Sequence, residues 1–189
     1  FHPLKVGRVI ARPFLGDNSG TFFRTKNRKD YTFPPPNKTL CDLVVENNRS
    51  CHAIGKIADI FSNRGISTSV SGLSDDALFY KMIDVIKKAK NGDLIFANFV
   101  EFDSLYGHRR DVAGFAAALE RFDLKLVKLL EIINPNDFLI ITADHGNDPT
   151  FKGTDHTREK VPVLMVGNYA QKGNNGNIVF SDVGATMAA

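Results

Sequence analysis

Apolar residues recur along this chain with the spacing of helices in some stretches and as short continuous runs in others. Asp75–Ala89 places Leu78, Phe79, Met82, Ile83 and Ile86 at intervals of three and four, which predicts an amphipathic helix. Asp111–Ile133 predicts a longer one, with Val112, Phe115, Ala116, Leu119, Phe122, Leu126, Leu129 and Leu130 as its stripe. Both stripes are expected in the core. Asn37–Asn48 suits a short helix. Between the helices lie uniformly apolar runs of strand length: Cys51–Ile57, Asp93–Val100, Phe138–Thr142 and Val161–Val166. Strands of this kind, alternating with helices, predict an α/β fold whose mostly parallel sheet is covered by helices on both faces. Near the end, Ser181 or Asp182 is placed to cap a helix that stops after about two turns at Ala189. No internal repeat is visible.

Composition narrows the class. With 43% apolar and 24% charged residues, the 189-residue chain has the balance of a globular protein with a core, which excludes disorder and fibrous repeats. No apolar run approaches the roughly 18 residues of a membrane span. Cys41 and Cys51 lack a metal-type spacing, so a reducing, cytoplasmic setting without disulfides is expected. Phe1-His2-Pro3-Leu4-Lys5 has neither an initiating Met nor a signal pattern, and both ends are read as cut.

The net charge of +3 conceals a segregation. Lys5, Arg8, Arg12, Arg24, Lys26, Arg28, Lys29 and Lys38 face only Asp17 and Asp30 in the first part of the chain, so the remainder is net acidic. That basic stretch also holds Gly16-Asp17-Asn18-Ser19-Gly20 and Phe33-Pro34-Pro35-Pro36, which predict an irregular connection between two structural units. Nucleic acid is not the expected partner of this segment, whose charge a small anionic substrate would account for.

In parallel α/β sheets, functional groups gather beyond the carboxyl ends of the strands. Here those positions hold Glu101-Phe102-Asp103 through Gly107-His108-Arg109-Arg110-Asp111, then Ala143-Asp144-His145-Gly146-Asn147-Asp148, then Gly153-Thr154-Asp155-His156-Thr157-Arg158-Glu159. Three of the five histidines lie in these segments, each close to an aspartate. Asp and neutral His without thiolate suit an ion such as Mn²⁺ or Zn²⁺ in a catalytic rather than a structural site. Asp103, His108, Asp144, His145 and His156 are too many for one open ion. They suit a two-metal centre, whose ions lie roughly 3.5–4 Å apart and clamp a phosphoryl group. An Asp-His-Gly turn by itself also reads as a simple cap; three such loops at successive strand ends favour the metal site. Arg109 and Arg110 sit at a helix start, where cations are disfavoured, so a phosphate-facing role is expected of them. His52, within an apolar run, is expected to be a hydrogen-bonded core residue, and His2 carries no signal. Glu101 reads as a supporting or structural residue.

Thr142-Ala143-Asp144-His145-Gly146-Asn147 is similar to the signature of the alkaline phosphatase superfamily, shared with cofactor-independent phosphoglycerate mutases. Other segments resemble the phosphopentomutase family more narrowly. They are Arg8 to Phe14, Arg24-Thr25, Asn27-Arg28, Asp30-Tyr31, Ile54-Gly55-Lys56-Ile57, Val100 to Asp103, Gly107 to Asp111, Gly153 to Glu159 and Asp182 to Thr186. The resemblance covers essentially the whole chain, as the C-terminal portion of a longer family member. One departure is Glu101, where the family form Val-Asp-Phe-Asp has aspartate.

The resemblance implies an alkaline-phosphatase-like core together with the tail of an inserted α+β cap domain. Residues 1–36 would be the end of that cap and its return hinge, and residues 37–189 the C-terminal part of the metal-binding core. It implies interconversion of ribose or deoxyribose 1-phosphate and 5-phosphate through a phosphoenzyme, with two Mn²⁺ ions (Mg²⁺, Co²⁺ or Zn²⁺ as substitutes) and a sugar bisphosphate activator. Asp103, His108 and His156 would hold one ion, and Asp144 and His145 would contribute to the other. Arg8, Ile10, Lys56, Arg109 and Arg110 would face the sugar phosphate. No threonine here matches the family's nucleophile motif, so the chain alone is expected to be inactive. A monomer without membrane or nucleic-acid partners is expected. The competing expectations are a phosphoglycerate mutase or phosphatase of the same superfamily, and a non-catalytic metal-binding fragment.

Overall fold

The structure, a computed structural model, describes residues 6–25, 27–174 and 176–189. Lys5, Lys26 and His2, named above, lie outside the described residues. The chain forms two compact units, Phe1–Ser71 with Lys90–Ala97 and Gly72–Ala89 with Asn98–Ala189.

The first unit begins with an antiparallel arm where an irregular segment was expected. Strand β1 (Arg8–Ala11) pairs with β4 (Lys29–Thr32), and β2 (Phe14–Leu15) pairs with β3 (Phe23–Arg24). The turn between β2 and β3 explains the difference. Thr21 and Phe22 donate back to the Asn18 carbonyl, and Gly16, at φ 120°, lies so close to Thr21 that a Cβ would meet its carbonyl oxygen at 2.5 Å. Glycine there lets the ribbon reverse.

After Pro34–Pro36, Thr39 opens helix α1 (Leu40–Glu46), and Asp42 accepts from the Thr39 backbone N–H at 2.7 Å. Arg64 reaches both Asp42 Oδ1 (2.9 Å) and the Pro35 carbonyl (2.6 Å), tying the proline segment to the helix. The sheet has β5 (Cys51–Ile54) at its centre, flanked by β6 (Thr68–Val70) and β7 (Leu94–Ala97), all parallel. Strand β5 stops sooner than the apolar run Cys51–Ile57, because Gly55 turns the backbone at φ 78° and Ile57 begins helix α2 (Ile57–Ile60). Cys41, Cys51, Ala53, Ile54, Ile57 and Ala58 are all buried, with Phe61 and Ile66 packed on Ala53, Ile57 and Ala58. Strand β6 escaped the sequence reading because Thr68-Ser69-Val70 is a polar edge strand with little apolar signal. His52 is hydrogen-bonded as expected, to Thr68 Oγ1 at 2.7 Å and towards Asp93 at 3.5 Å, and half-buried.

In the second unit, Ser74 caps helix α3 (Asp75–Ile86) by accepting from Ala77, and Asp111 caps helix α4 (Val112–Ile132) by accepting from Gly114 at 2.8 Å. Phe79, Phe99, Phe102, Phe115 and Phe122 form one aromatic cluster, with neighbouring ring centroids 5.6–6.4 Å apart. The buried side of α4 runs through Ala118, Phe122 and Leu129. Val112, Leu119 and Leu130 are about half exposed (48%, 51% and 48%), so the expected core stripe holds only in part. The aromatic cluster engages one flank of the helix, and these three residues lie outside it.

Strand β8 (Leu139–Thr142) pairs with β9 (Val163–Val166) in antiparallel register. The pairing is antiparallel because residues 143–162, which join the strands, contain no crossover helix. Helix α5 (Phe180–Ala188) starts one or two residues before the expected cap: Asp182 is inside the first turn, accepting from Val179 N–H at 2.9 Å. The whole is α/β as expected, with the loops after β8 and before α4 carrying the histidines. Among the described residues, no helix is long and apolar enough to cross a membrane.

Candidate metal centre

The segment preceding α4 is a π-helix over Phe102–Gly107, closed by His108 N–H on the Asp103 carbonyl (2.9 Å) and followed by Asp111 N–H on the Tyr106 carbonyl (3.0 Å). Phe102 anchors it in the aromatic cluster through Phe115 and Phe122. Asp75 and Glu101 hold its start in a reciprocal clasp. The Asp75 carboxylate accepts from Val100 (2.9 Å) and Glu101 (2.8 Å), and the Glu101 carboxylate accepts from Asp75 N–H (3.1 Å). Burial pushes the Asp75 carboxyl above its usual range, against the pull of those two N–H donors. Glu101 therefore has the supporting place read from the sequence.

This turn presents Asp103 and His108, and the loop 143–159 presents the other three. His108 Nε2 lies 3.4 Å from Asp103 Oδ1 and 3.1 Å from His156 Nε2, and His156 Nε2 lies 3.2 Å from the same Asp103 oxygen. Ligands sharing a tetrahedral ion at bonds of about 2.1 Å are about 3.4 Å apart, so three mutually close donor atoms have the right spread for one ion. His145 joins them: its ring stacks on His156 at 3.8 Å, and ligand atoms of Asp103, His145 and His156 lie within 4.8 Å of one another. Asp144 Oδ2 is 3.6 Å from His145 Nε2, on an exposed side chain. Carboxylate and imidazole without sulfur are the donors that Mn²⁺ or Zn²⁺ accepts, so the residues present fit a divalent ion.

Backbone acceptors orient two of the rings. A carbonyl only accepts, so His108 Nδ1, 2.6 Å from Thr154 O, carries the proton and leaves the Nε2 lone pair facing Asp103 and His156. His145 Nδ1 makes the same kind of contact to Gly146 O at 3.2 Å. The loop is tied to itself by Thr157 N–H on the Gly146 carbonyl (3.1 Å) and by the buried Thr157 hydroxyl, which accepts from Asp148 N–H (2.6 Å) and donates to Glu159 (2.5 Å). Thr150, donating from its hydroxyl and its N–H at 2.7 Å, holds the exposed Asp148 carboxyl below its usual range.

Of the five residues expected to bind metal, Asp103, His108, His145 and His156 come together in one unit, while Asp144 is exposed and lies near its own neighbour His145. Arg109 is exposed beside them, while Arg110 turns inward upon the loops. Arg8, Ile10 and Lys56 belong to the other unit. Arg8 is exposed on β1, 3.8 Å from Asp30; Ile10 pairs with Asp30 across the arm; Lys56 is exposed at the start of α2. Sequence reasoning missed Asn147, whose amide donates to Asp103 Oδ1 at 2.6 Å. Its place inside the Asp-His-Gly-Asn signature was the available signal.

Comparison with known proteins gives a concordant result. Residues 46–189 match the family model described as the Metalloenzyme superfamily. Phosphopentomutase of Agrobacterium fabrum is 49% identical over 187 residues, covering 98% of this chain and 46% of the relative. Phosphopentomutase of Sinorhizobium medicae is 52% identical over 185 residues, covering 97% of this chain and 46% of the relative. The chain therefore spans about half the length of the curated relatives it matches. A Pyrococcus horikoshii protein of solved structure aligns over 81% of this chain and 47% of its own, with TM-score 0.60 at 16% identity, a likeness of fold alone.

Proposed function

The chain belongs to the Metalloenzyme superfamily, and on that footing we propose that it is part of a phosphopentomutase, interconverting ribose or deoxyribose 1-phosphate and 5-phosphate. The observation that carries this reading is the convergence of Asp103, His108, His145 and His156, from two loops, in a chain about half identical to phosphopentomutases. Divalent ions held there, Mn²⁺ by preference, supply electrophilic stabilisation to a phosphoryl group in transfer.

The protein's own residues do the rest. Asp103, His108 and His156 hold one ion, and Asp144 and His145 contribute to the second. Thr154 and Gly146 keep the Nε2 lone pairs of His108 and His145 turned inward. Arg8 and Lys56 bring positive charge to the dianionic substrate, with Ile10 against the sugar and Arg109 at the phosphate; an arginine fork suits phosphate oxygens in pairs. Residues 1–36 form the end of a cap with its return hinge, and residues 37–189 the C-terminal part of the core. The basic character of the arm then serves a small anionic substrate. A sugar bisphosphate is the proposed activator, and the protein is proposed to act in the cytoplasm as a monomer.

The test is a coupled assay of the protein that carries this sequence, with Mn²⁺, on ribose 1-phosphate and on 3-phosphoglycerate. Turnover of the pentose phosphate is expected. Turnover of 3-phosphoglycerate alone would replace this reading with a phosphoglycerate mutase.

A further inference from the structure

Resting on the reading of the site as a metal centre, we propose that Arg110 is a positioning residue that locks the metal-binding loops into one arrangement. Its guanidinium is surrounded by acceptors from three stretches of chain. Nε donates to the Gly153 carbonyl; Nη1 donates to the Gly107 carbonyl (3.0 Å), Asn147 Oδ1 (2.8 Å) and the Asp148 carbonyl (2.9 Å); Nη2 donates to the Asp155 carbonyl (2.6 Å).

Three consequences follow from that geometry. The bonds to Gly153 and Asp155 bracket Thr154, whose carbonyl orients His108, and the second of them immediately precedes His156. The bond to Asn147 fixes the amide that donates to Asp103 Oδ1, so Arg110 acts on a ligand through one intermediary. The edge formed by Nε and Nη2 is occupied by two carbonyls, which removes the two-pronged face an arginine offers to phosphate. Arg110 also sits at φ 55°, a left-handed conformation that is unfavourable for a non-glycine residue and persists where the surroundings over-determine it. A guanidinium spreads its N–H groups over three nitrogens and reaches this set with one Nη1 proton shared between acceptors; a lysine, with three donors on one atom, does not.

Titration calorimetry with Mn²⁺ on the full chain tests the assignment, using the parent, Arg110→Lys, Asn147→Ser and the double variant, with thermal unfolding of each metal-free protein. Arg110→Lys is expected to weaken Mn²⁺ binding by about 10–100-fold although it keeps the charge. Asn147→Ser weakens it less, and the double variant is no worse than Arg110→Lys, because both act along one path. The electron paramagnetic resonance line shape of bound Mn²⁺ changes in both single variants, a signature that a loss of fold stability would not produce. Mn²⁺ affinity within about twofold of the parent in Arg110→Lys overturns the proposal. So does weakened binding of inorganic phosphate with Mn²⁺ binding intact, which would return Arg110 to the substrate. Should Arg110→Lys fail to fold, Asn147→Ser decides, and unchanged Mn²⁺ affinity there overturns it. A parent that binds no Mn²⁺ fails the metal reading itself, an outcome distinct from these, and the inference falls with it.

Discussion

His108 donates from Nδ1 to the carbonyl of Thr154 at 2.6 Å, and that bond selects the nitrogen that faces Asp103. One loop thereby sets the tautomer of a candidate ligand on another. Replacing His108 with Ala removes a donor and frees the Thr154 segment together. Mn²⁺ affinity is expected to fall at least about tenfold, with faster amide exchange across 153–156, read by calorimetry and hydrogen exchange. Unchanged affinity would take His108 out of the ligand set.

Gly107 is buried where the Asn147 amide passes, and a Cβ there would meet Asn147 Nδ2 at 2.5 Å. Asn147 cannot withdraw without leaving Asp103 or Arg110. Gly107→Ala should therefore cost about 1–3 kcal/mol in urea unfolding and also weaken Mn²⁺ binding. A substitution neutral in both measurements would show that Asn147 is not pinned.

In the first unit, Asp93 accepts from Ser50 and Lys90 N–H, each at 2.8 Å, and faces His52. Burial pushes its carboxyl up, but these donors outweigh burial and hold it below the usual carboxylate range. A group depressed in this way adds stability above its unfolded value of about 3.9 and loses it as pH falls through the folded value. Asp93→Asn is expected to cost about 1–3 kcal/mol at neutral pH and to flatten the loss of stability below about pH 4. Unfolding curves at neutral and acid pH check both signs, and equal stability at neutral pH would contradict them.

Arg64 joins Asp42 in α1 to the Pro35 carbonyl with bonds of 2.9 and 2.6 Å. Lysine cannot make both. Arg64→Lys should destabilise by about 1–2 kcal/mol and speed proteolytic cleavage around residues 33–38, measured by limited proteolysis. Unaltered cleavage would mean that the prolines alone hold this segment.

The grouping of Asp103, His108, His145 and His156 was legible because an aspartate or histidine just past an apolar run has few structural uses, and the three loops carry several of each. What supports them was not. Arg110 was expected to face phosphate, and only folding shows its guanidinium enclosed by carbonyls, two of them from residues more than forty positions away. The π-helix over Phe102–Gly107 has no periodic signature in so short a stretch. Apolar runs located β5, β7, β8 and β9 within a few residues, yet direction is not written in composition, and the helix-free loop after β8 made its partner antiparallel. Polar Thr68-Ser69 hid β6, and the short ladders of the arm fell below any alternation a reader can detect.

Asp103, His108, Asp144, His145 and His156 are proposed to form a metal centre. Anomalous diffraction from crystals of the full chain grown with Mn²⁺ tests it most directly. A peak is expected about 2.0–2.3 Å from Asp103 and His156 donor atoms, lost in His156→Ala crystals. Manganese bound elsewhere on the chain, or not bound at all, would contradict it.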